Sequence, residues 1–224
     1  MPREKRGRLC VVIVPTNFNA SMTLVFGPKA WFGRFRVQAE ENYVRAMAFV
    51  NPELAAAVAQ GHREEPFYGI GDQRAFKRQC TGPGWMLVGD AACIKDQCTA
   101  IGMTHAFRDA ELASSALQSW FDGSTDESSA MAAYAQQHEA DLKGYYDFVT
   151  RSAAMAPGTE VDLQFMRGLQ QNPDYANAFA AMYGDALDVD EFIAEIRPKV
   201  LQSVPVGPET PSPDGLESLL PTQS

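Results

Sequence analysis

The sequence predicts a mixed α+β fold, antiparallel where it is β, with helices taking over towards the C-terminus. Three features carry that expectation. Two runs rich in β-branched residues, Arg8–Val14 and Ser21–Phe26, flank the turn-forming Pro15-Thr16-Asn17-Phe18-Asn19, the pattern of an antiparallel hairpin. The stretch from Gly84 to Leu117 passes from a short apolar strand through a loop into a strongly periodic helix. From Ser128 onward apolar residues recur at i, i+3, i+4 spacing.

Gly27-Pro28 ends the hairpin, and a helical pattern follows over Trp31–Val50 with Phe35, Tyr43, Ala46, Met47 and Val50 as its core contacts. Asn51-Pro52 breaks that pattern and restarts a short helix, Glu53–Ala59, closed by Gly61. Pro66-Phe67-Tyr68 and Ala75–Cys80 read as short strands, and Thr81-Gly82-Pro83-Gly84 as the turn into a buried strand, Trp85-Met86-Leu87-Val88. The helix after Ile101-Gly102 places Met103, Ala106, Phe107, Ala110, Ser114 and Leu117 on one face, which is expected to pack. Asp122-Gly123-Ser124 makes a break, and Ser128–Met155 is expected as one long helix. Its stripe is Met131, Tyr134, Ala135, His138, Leu142, Tyr145 and Val149, with His138 a packed residue rather than a catalytic one. Val161–Gln171, Asp174–Tyr183 and Asp188–Ile196 follow as shorter helices. Pro205–Ser224, rich in Pro, Ser, Gly, Glu and Thr, is expected to be a disordered tail.

At 224 residues, 46% hydrophobic and 21% charged, the chain has an ordinary globular composition and the length for one or two domains. A net charge of −9 and a pI near 4.8 argue against nucleic-acid binding. The basic cluster Arg3, Lys5, Arg6 and Arg8 is too short for a nucleic-acid arm. No apolar run approaches the roughly 18 residues that span a membrane. Leu9–Val14 runs into Pro15 without a signal-peptide cleavage pattern, so a cytoplasmic protein is expected. Cys10, Cys80, Cys93 and Cys98 form no CxxC pair and read as reduced thiols.

The chemistry concentrates in the strand–loop–helix. Gly89-Asp90 stops the strand with a flexible residue and an acceptor-only side chain. The helix start at Gly102 offers unpaired N–H groups, the positive end of a dipole, and no side chain to keep a ligand away. Asp90 repels a phosphate, but it accepts hydrogen bonds from sugar hydroxyls or from a bridging water. Residues alone therefore suggest a polyol-plus-anion site; a strand–loop–helix with an ordinary Asx-turn at Asp90 is the plainer alternative. Arg74 or Arg78 could face a substrate or a pyrophosphate, or be solvated.

Gly89-Asp90-Ala91-Ala92, Lys95-Asp96, Gly102-Met103-Thr104 and Arg108-Asp109-Ala110-Glu111-Leu112, in this order, resemble the second flavin-contacting motif of FAD-dependent monooxygenases of the p-hydroxybenzoate hydroxylase superfamily. Gln97 stands where that family usually has Pro. The resemblance implies that Gly89, Asp90 and Ala91 contact the ribityl and pyrophosphate part of FAD. It places Gly102, Met103 and Thr104 at the pyrimidine edge of the ring. It also implies NAD(P)H as reductant and a small organic substrate. The implied layout has part of a substrate domain over 1–80, the C-terminal part of an FAD-binding domain over 81–123, a helical region over 124–204 and a tail over 205–224. No GxGxxG follows a strand in this chain, which is the pattern expected of a fragment from a truncated gene model, of the remnant of a broken gene, or of one half of a split enzyme whose partner chain supplies the Gly-rich half. A non-catalytic binding or assembly module that has lost FAD is the alternative.

Overall fold

The computed structural model describes residues 8–205. The fold is mixed α+β, and at 62% helix it is the helices that set the architecture, with sheets no larger than antiparallel pairs. The expected tail from Val206 onward lies outside the described residues. Among the described residues no helix is long and apolar enough to cross a membrane. The described chain divides into two compact units, one holding 8–72 and 154–162, the other 73–153 and 163–205.

In the first unit, β1 (Cys10–Pro15) pairs antiparallel with β2 (Ser21–Phe26), Cys10 opposite Phe26 and Pro15 opposite Ser21. The expected single helix over 31–50 is assembled in pieces. A 3₁₀ turn (Lys29–Trp31), α1 (Phe32–Phe35) and a second 3₁₀ turn (Arg36–Gln38) precede α2 (Ala39–Val50). Gln38 leaves helical geometry at φ −129, ψ 59, and the Asn42 amide satisfies the Phe35 carbonyl before that break at 3.0 Å. Trp31, Ala46 and Met47 are buried, whereas Val50, expected in the core, is exposed at the helix end. In α3 (Pro52–Gln60) proline occupies the first turn, and Asn51 caps it by accepting the Leu54 N–H at 3.0 Å. The strand expected at Pro66-Phe67-Tyr68 does not form, and Pro66 has no N–H to give a ladder. Phe67 instead meets Tyr43 edge to face at 5.0 Å, under the Arg63 guanidinium.

In the second unit the strands are short. β3 (Phe76–Lys77) pairs with β6 (Cys93–Ile94), and β4 (Thr81–Gly82) with β5 (Trp85–Met86), all antiparallel. The buried strand expected over Trp85–Val88 is therefore only two residues of a tight hairpin, with Trp85 and Val88 exposed. Four apolar residues supply a hydrophobic run but no second neighbour to pair with, and the pairing decides.

The helices are α4 (Gly102–Phe121), α5 (Glu127–Leu142), α6 (Tyr145–Ala153), α7 (Glu160–Gln171), α8 (Pro173–Tyr183), α9 (Val189–Glu191) and, after a π turn over Phe192–Ile196, α10 (Arg197–Gln202). The long helix expected over 128–155 breaks at Gly144, whose φ of 75 suits glycine, after an extended Lys143. Its predicted stripe survives the break, since Met131, Tyr134, His138, Leu142, Tyr145 and Val149 are all buried. One core gathers Cys80, Ala92, Ala113, Ala116, Ala130 and Tyr134; a second gathers Ile101, Tyr145, Val149, Met182, Val189 and Phe192.

The expected packing face of α4 is reversed. Met103 and Phe107 are 76% and 77% exposed, while His105, Asp109, Ala113 and Ala116 are buried. The buried face is made of small side chains and hydrogen-bonded polar ones, so hydrophobicity alone selects the opposite side.

Candidate functional site around the Gly89–Asp90 turn

A 3₁₀ turn over Gly89–Ala91 follows β5 and packs against α4. Gly89 has φ 56, and a Cβ there would lie 3.0 Å from the Cβ of Ala106. Glycine is required both by the left-handed backbone and by the close approach of the helix.

Three buried side chains grip the segment that leads into this turn. The Gly89 N–H donates to Asp109 Oδ2 at 2.8 Å, and Asp109 Oδ1 lies 2.8 Å from His138 Nδ1. The Tyr134 hydroxyl donates to the Leu87 carbonyl at 2.6 Å. Burial, reinforced by the Asp109 charge, pushes the Tyr134 hydroxyl above its usual range, so it stays a neutral donor. On the outer side, Arg78 stacks on Phe76 with its guanidinium 4.3 Å from the ring centre and donates to the Ala91 carbonyl at 2.8 Å. Arg78 thus braces the turn.

Of the residues singled out in sequence, only Gly89 is buried; Asp90, Ala91, Gly102, Met103 and Thr104 are exposed. Gly102 opens α4, one helical turn and about 6 Å of rise before the Ala106 that Gly89 touches. The turn and the helix start therefore lie along the same end of α4. Ile101, which precedes the helix, has no side-chain acceptor to cap the first N–H groups. A Cβ on Gly102 would meet nothing within 4 Å, so the space beside this helix start is open. The arrangement is a shelf with an exposed carboxylate on a braced turn and exposed backbone donors, rather than a closed cavity.

A second polar cluster braces the first turns of α4. Asp185, at φ 59, pairs with Arg108 and lies 3.1 Å from His105 Nε2. Burial opposes ionisation of Asp185, but the His105 hydrogen bond and the Arg108 charge outweigh it and hold the carboxyl below its usual range.

Sequence reading quoted Asp109 only as part of the helix motif, gave it no role, and missed Asp185 and the role of His138. Asp109 and His105 are four residues apart, a spacing that places two polar residues on one helical face, and that was the available signal. Nothing in the sequence pointed to Asp185. No disulfide forms among the four cysteines, and burial raises the thiols of Cys80 and Cys93 above their usual range. Among the described residues no group of three or more His, Cys, Asp or Glu is placed to hold a metal. No protein-family model, curated protein or solved structure matches the chain.

Proposed function

We propose that this chain is the C-terminal portion of an FAD-dependent oxidoreductase of monooxygenase type, with the flavin and its ribityl chain lying on the shelf between Asp90 and the start of α4. The observation that carries the reading is the pairing of an exposed Asp90, on a turn fixed from beneath by Asp109, with the uncapped and open helix start at Gly102.

The donor set fits the group. Asp90 is an acceptor for ribityl hydroxyls, and the N–H groups of Gly102, Met103 and Thr104 suit an anionic ring edge. Redox chemistry, with NAD(P)H as reductant and a small organic molecule as substrate, would come from FAD when bound. The chain's own residues bind and orient: they place an acceptor on one side, donors and a positive helix end on the other. A separate polypeptide contributing the Gly-rich half would supply the contacts to the adenosine and pyrophosphate.

One observation favours the second reading, a non-catalytic binding or assembly module: the shelf is open and the apolar side of α4 at Met103 and Phe107 is uncovered. The test is co-expression with any Gly-rich βαβ segment encoded beside this chain, followed by absorption spectroscopy. A flavin band that is retained by wild type and lost in Asp90→Ala supports the proposal. A colourless complex, unaltered in melting temperature by added FAD, sinks it.

A further inference from the structure

We propose that His138 is a positioning residue for the Asp90 turn: acting through Asp109, it fixes Gly89 and so the direction in which Asp90 is presented. The inference rests on the flavin reading only for what Asp90 is presented to.

Asp109 uses both of its oxygens inside the protein, and its side chain is 8% exposed. A carboxylate only accepts, and the Gly89 N–H already occupies Oδ2, so the partner at Oδ1 must donate. That assigns the ring proton to His138 Nδ1, 2.8 Å away. His138 is itself 4% exposed, with its ring centre 5.7 Å from that of Tyr134, so water does not readily replace it at Asp109. Remove the donor and a buried carboxylate oxygen loses its partner. The carboxylate then turns to find another donor, and that weakens its hold on the Gly89 N–H.

If His138 were only filling space in the α5 stripe, any apolar side chain of similar size would serve. His138→Leu keeps the bulk without the donor, while His138→Asn can return an N–H close to the Nδ1 position. Backbone amide exchange of the full chain, followed by NMR, separates the two roles. The Gly89 amide should exchange about tenfold faster in H138L, with most of the protection regained in H138N. Amides elsewhere in α5, such as that of Leu142, should keep their wild-type rates.

An unchanged Gly89 rate in H138L, an equal loss in H138N, or uniform acceleration across the second unit overturns the proposal. Should H138L not fold, the ring nitrogen shifts of wild-type His138 decide instead: a hydrogen on Nδ1 supports the positioning role and a bare Nδ1 refutes it. Titrating the complex of wild type and the co-expressed Gly-rich segment with FAD, while following the Asp90 and Gly102 amides, keeps the two claims apart. Silence there removes the flavin reading and leaves the Gly89 result standing.

Discussion

Gly89→Ala is the sharpest perturbation of the turn, because two separate costs meet at one atom. The first is conformational: a non-glycine residue in the left-handed region costs roughly 1–2 kcal/mol. The second is steric, since the new Cβ would be placed 3.0 Å from the Ala106 Cβ, and the helix or the turn must give by a few tenths of an ångström. Overpacking of that kind costs about 1 kcal/mol at its lower end. Reduced freedom of the unfolded chain returns about 0.5–1 kcal/mol. The net expectation is a loss of about 2 kcal/mol, read as a lower midpoint in urea unfolding followed by circular dichroism.

The double variant Gly89→Ala/Ala106→Gly divides the two terms. Glycine at 106 relieves the contact and leaves the strain, while its own helix cost of about 1 kcal/mol is measured in the single variant. A coupling of about 1 kcal/mol between the sites is expected. A Gly89→Ala protein within about 0.5 kcal/mol of wild type would mean that the turn is not left-handed and does not touch α4, and the geometry assigned to Asp90 would fail with it.

The reversed face of α4 makes an equally direct prediction. Met103→Ser and Phe107→Ser should each change unfolding stability by less than about 0.5 kcal/mol, whereas Ala116→Leu, on the buried face, should cost about 1–3 kcal/mol; a large loss at Phe107 would restore the face that hydrophobicity selects. For Asp185, the folded-state pKa lies below the ordinary 3.8, so its stabilisation is complete above that value and is lost as pH falls through the folded one. Asp185→Asn should therefore be less stable than wild type at neutral pH, with the gap closing below about pH 4; a gap independent of pH from 7 to 2.5 would show that the carboxylate's charge is not what binds His105 and Arg108.

What the sequence made legible was periodic or punctuated. The hairpin of β1 and β2 follows from β-branched runs around a turn, and α3 begins where Asn51-Pro52 says it should. The α5–α6 stripe was readable because its buried positions are mostly large and apolar. Where the reading failed, a pattern was present but was outweighed by something non-local. Trp85–Val88 had the composition of a buried strand, but a strand also needs neighbours, and those are set by the rest of the unit.

The α4 helix shows the same limit in a form that bears on function. Its apolar residues pointed to one face, yet the face that packs carries His105 and Asp109, whose partners Asp185 and His138 are 80 and 29 residues away in sequence. No local rule connects residues at such separations. Those hydrogen bonds offset the burial of His105 and Asp109, although His105 Nδ1 has no partner among the described residues. The consequence runs back to the candidate site: Gly89 and Asp90 were visible as a motif, but the reason they hold one conformation was not. It lies on α4 and α5, in Asp109 and His138, and the apolar side of α4 is left exposed as a result.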